Sequence, residues 1–275
     1  MLETVEVRSP SGDLLSLNLA DISSGFIVAD IKGLNPVKAT IVRTPIATLD
    51  EEAINATRRD ARNLIFILEP EPDYTTETIR DLRWRLYDFF MPEAPVNLRF
   101  IHSAGDNLEV EINGIVEDFD WPLFAAEPEG TLSIICEKPD FVVLDSLEVE
   151  GDTVEDSSEV LLAYPGTVES GLVWTLNIDR DIDEIDFYLR APDGITRYFW
   201  LGGTLLTGDV LEINSIPGQK AITVTRSGTP FSLLYGLMPV APWPTLWKGN
   251  NYLRVVVEGD PIPYTVSYKP KYGGL

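Results

Sequence analysis

The sequence comprises 275 residues, of which 44 are acidic and 21 basic, giving a formal net charge of −23 with 44% hydrophobic content. A chain of this length suits two domains or one large β-domain and buries a core without disulfide staples; its single cysteine, Cys136, has no internal partner. The acidic excess argues against a nucleic-acid surface, which must supply positive charge to phosphates. No apolar run approaches the roughly 20 residues of a membrane helix, and the opening MLETVEVRSPSGD lacks the basic start and apolar core of a signal peptide.

Most of the chain reads as strands. Residues 2–7 alternate and run into the turn cluster SPSGD, followed by LLSLNL, GFIVADI and VKATIV, with GLNP as a turn. NLIFILEP is a continuous apolar run ending at Pro70, which suits a buried strand. EEAINATRRDAR has a weak amphipathic pattern, too short and too poor in large apolar residues to assign as a helix.

TTETIRDLRWRLYDFFMP predicts the chain's one clear helix. Ile79, Leu82, Leu86 and Phe89 recur on one face, Thr75 or Thr76 is placed to cap the start, Glu77 suits the first turn, and Pro92 stops the run. Arg80, Arg83 and Arg85 lie off the apolar stripe. They read either as a partner surface or as a solvated face paired with Asp81 and Asp88.

VNLRFI, LEVEINGIVEDF and TLSIICEKPDF continue the strands, with Asn113-Gly114 as a turn or bulge. The stretch EVEGDTVEDSSE (148–159) has no core face and reads as a junction, which places the domains at 1–143 and 144–275. The second part holds no convincing helix. LVWTLNI, EIDFYLR, TRYFWL, DVLEINS, KAITVTR, NYLRVVV and YTVSYK are short runs spaced by turn residues, the pattern of a β-sandwich or jelly roll. The expected fold class is therefore mainly β: an α+β first domain, sandwich- or barrel-like with one helix, and a second β-sandwich.

Groups fit for catalysis are scarce. His102 is the only histidine and falls in the loop-like HSAGDN. No serine lies in a G-x-S-x-G elbow, and Cys136 sits in the apolar run TLSIIC. One Cys and one His cannot fill a tetrahedral zinc site. Asp179, Asp181 and Asp183 begin like a calcium loop, but Glu184 replaces the glycine at its sixth position and Arg190 the glutamate at its twelfth; an acidic turn is the plainer reading. Carboxylate pairs for glycoside hydrolysis are too numerous to point anywhere. The sequence thus calls for no enzyme, cofactor or metal.

Trp174 and Trp200 alternate within strands, as core residues do, whereas Trp243 and Trp247 bracket the loop WPTLW and are candidates for a sugar platform or for a corner that closes the sandwich. The terminal YKPKYGGL sets Tyr268, Lys269, Lys271 and Tyr272 around a stiffening proline and ends on a bend at Gly273-Gly274. Aromatic and cationic anchors of this kind suit a docked end.

The succession SIICEKPDF, LLTGDVLEI, WPTLWKGNN and YKPKYGGL resembles the distal tail proteins of long-tailed, non-contractile bacteriophages, in which I-x-C-x-x-P, L-x-x-G-D-x-L-x-I, W-x-x-L-x-x-G-x-N and Y-x-P-x-Y-x-G-L recur in that order. The resemblance runs from about GLNPVKATI to the last residue, and the tryptophan-rich turn and the acidity go beyond the pattern. It implies a non-catalytic virion component made in the host cytoplasm: a homo-hexameric ring built by the first domain, with an outward, galectin-like or carbohydrate-module-like second domain. The implied partners are a tail tube protein and a tail-tip or tail-associated lysin protein, with DNA passing through without specific binding and no membrane contact. The other reading is a carbohydrate-binding module for host cell-wall polysaccharide.

Overall fold

The computed structural model describes residues 2–46, 52–103, 107–122, 128–154 and 158–275. The chain divides into one unit of Met1–Leu144 with Tyr272–Leu275 and a second of Asp145–Lys271. The polypeptide therefore leaves the first unit and rejoins it for its last four residues.

The first unit is built on a nine-stranded antiparallel sheet. Its main path runs β2 (Leu14–Asn18), β1 (Leu2–Arg8), β7 (Pro95–His102), β8 (Glu109–Asp120), β9 (Gly130–Cys136), β6 (Arg62–Pro70) and β3 (Phe26–Lys32). Alternation sets which face is buried: Val5 and Val7 stand opposite Phe100 and Leu98, and Phe66 opposite Leu132, all in the core. The short β10 (Phe141–Val143) pairs with β8 and with the final strand β21 (Lys271–Tyr272).

Helix α1 (Ile79–Phe90) lays Leu82, Leu86, Phe89 and Phe90 on this core. Its cap is Thr78, not Thr75 or Thr76: the Thr78 hydroxyl accepts from the Asp81 N–H while the Asp81 carboxylate accepts from the Thr78 N–H at 3.0 Å. Thr75 and Thr76 instead close a turn on Asp73. Met91 is extended, as a residue before proline must be, and the helix stops there.

One other expectation fails in this unit. Asn113-Gly114 is no turn, because β8 runs straight through it, paired with Asn97 and Val96; the irregularity lies further on, between Val116 and Asp118. Gly114 is small because a β-carbon there would crowd Ile134 and the Cys136 sulfur. The weakly amphipathic segment EAINATRR is extended. It is strand β5 (Glu52–Arg59), paired with β4 (Ala39–Pro45) in a two-stranded hairpin that, among the described residues, joins no other sheet.

The second unit is a β-sandwich. One sheet has the order β11 (Leu147–Asp152), β20 (Pro263–Tyr268), β13 (Val173–Asn177), β16 (Val210–Asn214), β17 (Ala221–Arg226), β18 (Thr229–Ser232). The other has β12 (Val160–Tyr164), β19 (Gly249–Val256), β14 (Ile182–Arg190), β15 (Thr196–Leu205). Trp174 from the first sheet meets Phe187 and Phe199 of the second at 4.9 and 5.9 Å between ring centres, and those two rings stack at 4.5 Å. The acidic segment expected as a junction begins as β11, an edge strand in register with β20, and Gly151 accommodates the Tyr264 ring; its residues 155–157 lie outside the described set.

Candidate functional site

The helix arginines do not form one patch. Arg85 turns back over the Phe26 ring, donates to the Ser24 carbonyl and pairs with Glu77 at 3.5 Å. Arg83 is half-buried, and Arg80 is exposed with its guanidinium 4.7 Å from the Trp84 ring centre. Asp81, expected as an arginine partner, is committed to the helix cap, and hydrogen bonds from the Thr78 hydroxyl and N–H hold its carboxyl below the usual range.

The β4–β5 hairpin was not singled out by sequence, because its apolar residues follow no clean face. Every residue of β4 is exposed and all but one of β5, including Ile41, Val42 and Ile54, the last 64% accessible. Its base is tied by a Thr40–Asp60 hydrogen bond of 2.7 Å and the Arg59–Asp140 ion pair. An isolated two-stranded hairpin is marginal in water, and this one presents two edges and two uncovered faces.

The terminal residues have separate roles. Tyr268 is buried and donates its hydroxyl to the Ala163 carbonyl at 2.9 Å, so it is a core residue of the second unit and not an exposed contact. Lys269 is exposed. The Lys271 N–H donates to the Tyr164 hydroxyl, and its carbonyl accepts from Thr167 and Val168. Tyr272 and Leu275 pack on the core of the first unit.

His102 ends β7, half-buried, and desolvation lowers its pKa; residues 104–106 of its loop lie outside the described set. Cys136 is buried, which pushes its thiol up to about 11. Asp179 pairs with Arg180, Asp181 accepts from the Thr207 N–H and hydroxyl, and Asp183 accepts from Thr204. Among the described residues no group of three or more His, Cys, Asp or Glu side chains could hold a metal ion, and no helix is long and apolar enough to cross a membrane.

Trp243 turns inward, packing against the core of the sandwich with the Lys220 ammonium 5.5 Å from its ring centre. Trp247 is exposed beneath the Arg197 guanidinium. Trp174 is core, but Trp200 is half-exposed on the outer sheet face, against the expectation from its alternating context.

No family model and no curated protein matches the sequence. Among solved structures, the chain is similar to SPP1 Dit (gp 19.1), described as a paradigm of hub adsorption apparatus in Gram-positive infecting phages. The two share 16% identity over 97% of this chain and 98% of that one, with a TM-score of 0.64. The chain has the Dit fold. Two likenesses to the phage P2 baseplate in its activated conformation, with Ca and with Sr, have 8% identity and TM-scores of 0.44 and 0.40 over 96% or more of each chain, and are too distant to argue from.

The short motifs of the sequence are fold-makers within the Dit fold. Asn251 is fully buried, accepts from the Trp247 N–H and donates to the Trp247 and Gly249 carbonyls, which locks the W-K-G-N-N turn around the positive φ of Gly249. Asp209, 2% exposed, accepts from the Leu206 N–H at 2.8 Å and from Arg226 at 2.7 Å. The Pro139 and Gly273 carbonyls both accept from Arg62. These are turns and clasps anchored by buried polar side chains.

Proposed function

We propose that this protein is a distal tail protein, a non-catalytic hub at the tip of a long, non-contractile phage tail. In this reading six copies close into a ring through the first unit, the tail tube protein docks on one side and a tail-tip or tail-associated lysin protein on the other. The protein is then a virion component, synthesised in the host cytoplasm. The observation that carries the reading is fold likeness to SPP1 Dit over nearly the entire length of both chains.

Two physical features support assembly. The uncovered β4–β5 hairpin gains most if its exposed isoleucines and free edges are covered by a neighbouring copy. A net charge of −23 also gives DNA little to adhere to during passage through a ring. Size-exclusion chromatography with light scattering tests the proposal: the expected mass is six times 30.6 kDa, alone or with the tube protein. A monomer at high concentration with the tube protein present overturns it.

A further inference from the structure

The outer face of the four-stranded sheet carries a set of aromatic and acidic side chains that do not enter the core. Across it, Arg254, Tyr188 and Tyr198 stand in one row, Val256, Asp186 and Trp200 in the next, and Glu184 faces Gly202 beyond them. These positions alternate with Phe187, Leu189, Phe199 and Leu201, which enter the core, so the set points away from it.

Each aromatic group here is held in place. The Tyr198 hydroxyl donates to Asp186 at 2.8 Å, and the Trp200 indole N–H donates to Glu184 at 3.0 Å. The Tyr188 and Tyr198 rings lie 4.9 Å apart, with the Arg254 guanidinium 4.3 Å from the Tyr188 ring centre. Gly202 completes the arrangement. A β-carbon at 202 would collide with the six-membered ring of Trp200, so the glycine lets the indole lie down over the strand instead of standing into solvent. Beside it opens a cleft of about 680 Å³ lined by Arg180, Asp181, Asp183, Glu184, Asp186 and Glu258, a volume typical of small-ligand sites, about 300–1,000 Å³.

We propose that this face binds an uncharged polysaccharide, with Trp200 as the stacking platform and Glu184 and Asp186 as acceptors for sugar hydroxyls. A carboxylate offers about four acceptor positions, and the indole and phenol donors occupy one each. The face therefore combines a flat apolar ring with surplus acceptors. A sugar has the complementary pair of features, an apolar C–H face and a rim of hydroxyl donors. An apolar peptide offers one backbone N–H donor per residue but no rim of hydroxyls around a ring-sized apolar face, and a phosphate-rich polymer meets five carboxylates with Arg180 as the cleft's one cation among its described lining. Because the rings are already fixed, little side-chain entropy is lost on binding.

The proposal goes beyond the hub reading and does not depend on ring formation. The test is calorimetric titration of the full chain with cellohexaose, chitohexaose, maltoheptaose and a neutral rhamnose–glucose polysaccharide, with polyglycerol phosphate as the anionic probe. Binding to at least one neutral probe is expected, weakened about tenfold or more by Trp200→Ala, by Gly202→Ala, which displaces the ring while keeping it, and by Glu184→Gln. Trp247→Ala should bind as wild type. If Trp200→Ala fails to fold by circular dichroism, Gly202→Ala and Glu184→Gln decide. The proposal is overturned if no neutral probe binds at millimolar concentration, if the folded variants retain wild-type affinity, or if polyglycerol phosphate binds more tightly. Light scattering on the same samples separates the two readings, since loss of the ring with glycan binding intact counts against the hub alone.

Discussion

Arg62 donates its Nη2 to the carbonyl of Gly273, 211 residues further along the chain, at 2.6 Å. The same guanidinium gives Nε to the Pro139 carbonyl at 2.6 Å and Nη1 to the carbonyls of Asn35 and Gly33, and it lies 4.4 Å from the Phe141 ring centre. Its side chain is fully buried, and desolvation lowers its pKa. Four carbonyl dipoles from three separate segments replace the water it has lost. The Leu275 N–H adds a bond to the Leu34 carbonyl at 3.0 Å. The end of the chain is thus a structural part of the first unit.

Deleting residues 272–275 should destabilise the first unit by more than a surface truncation does. The charge-assisted bond from Arg62 alone is worth about 1.5–3 kcal/mol, and Tyr272 and Leu275 lose their packing as well. Arg62→Lys should also lower stability, because an ammonium cannot reach the spread of carbonyls that the planar fork does. Urea unfolding measures both, and unchanged midpoints would refute the clasp.

Cys136 should resist thiol reagents in the native protein at pH 8 and react at once in denaturant. Burial raises its folded pKa from 9.0 to about 11, so the thiolate is scarce and shielded. The sign of the linkage follows: stability from this group is full below pH 9, declines as pH rises, and is lost through the folded value. Rapid native labelling would contradict this placement.

Ile54→Asp, on the uncovered hairpin, should leave protomer stability within about 0.5 kcal/mol, as surface substitutions do, yet abolish assembly. Light scattering and thermal melting on one sample read the two effects. A ring that survives the substitution removes the hairpin from the interface.

Asp209→Asn should destabilise the sandwich, because Arg226 and the Leu206 N–H lose a shared carboxylate acceptor. The bond from Arg226 is the first cause of the lowered Asp209 pKa. A depressed folded value means that this contribution is present above the ordinary 3.8 and disappears as pH falls through the folded pKa. The stability difference between wild type and Asp209→Asn should therefore shrink in acid. A difference that grows below pH 4 would refute the assignment.

Much of the architecture was legible because its signals are local. Leu82, Leu86 and Phe89 announce the buried helix face, and the alternation around Val5, Phe66, Trp174 and Phe187 announces strands. Even the helix cap was present as Thr78-x-x-Asp81, masked by two earlier threonines that compete for the same reading. Asn113-Gly114 misled because a small residue demanded by Ile134 and Cys136 across the sheet looks the same as one demanded by a turn.

The sequence by itself determined the strand-rich composition, the one α-helix among the described residues, the poverty of reactive groups and the strong negative charge, since each depends on residue type and short-range spacing. Only the tertiary structure decided that Arg62 clasps Gly273, that Tyr268 belongs to a core, and that Trp200 lies outward on Gly202 with its N–H on Glu184. Those facts depend on which distant strands become neighbours. Alternation fixes that a side chain faces one side of a sheet, but which side is inside is set by what the other layer covers.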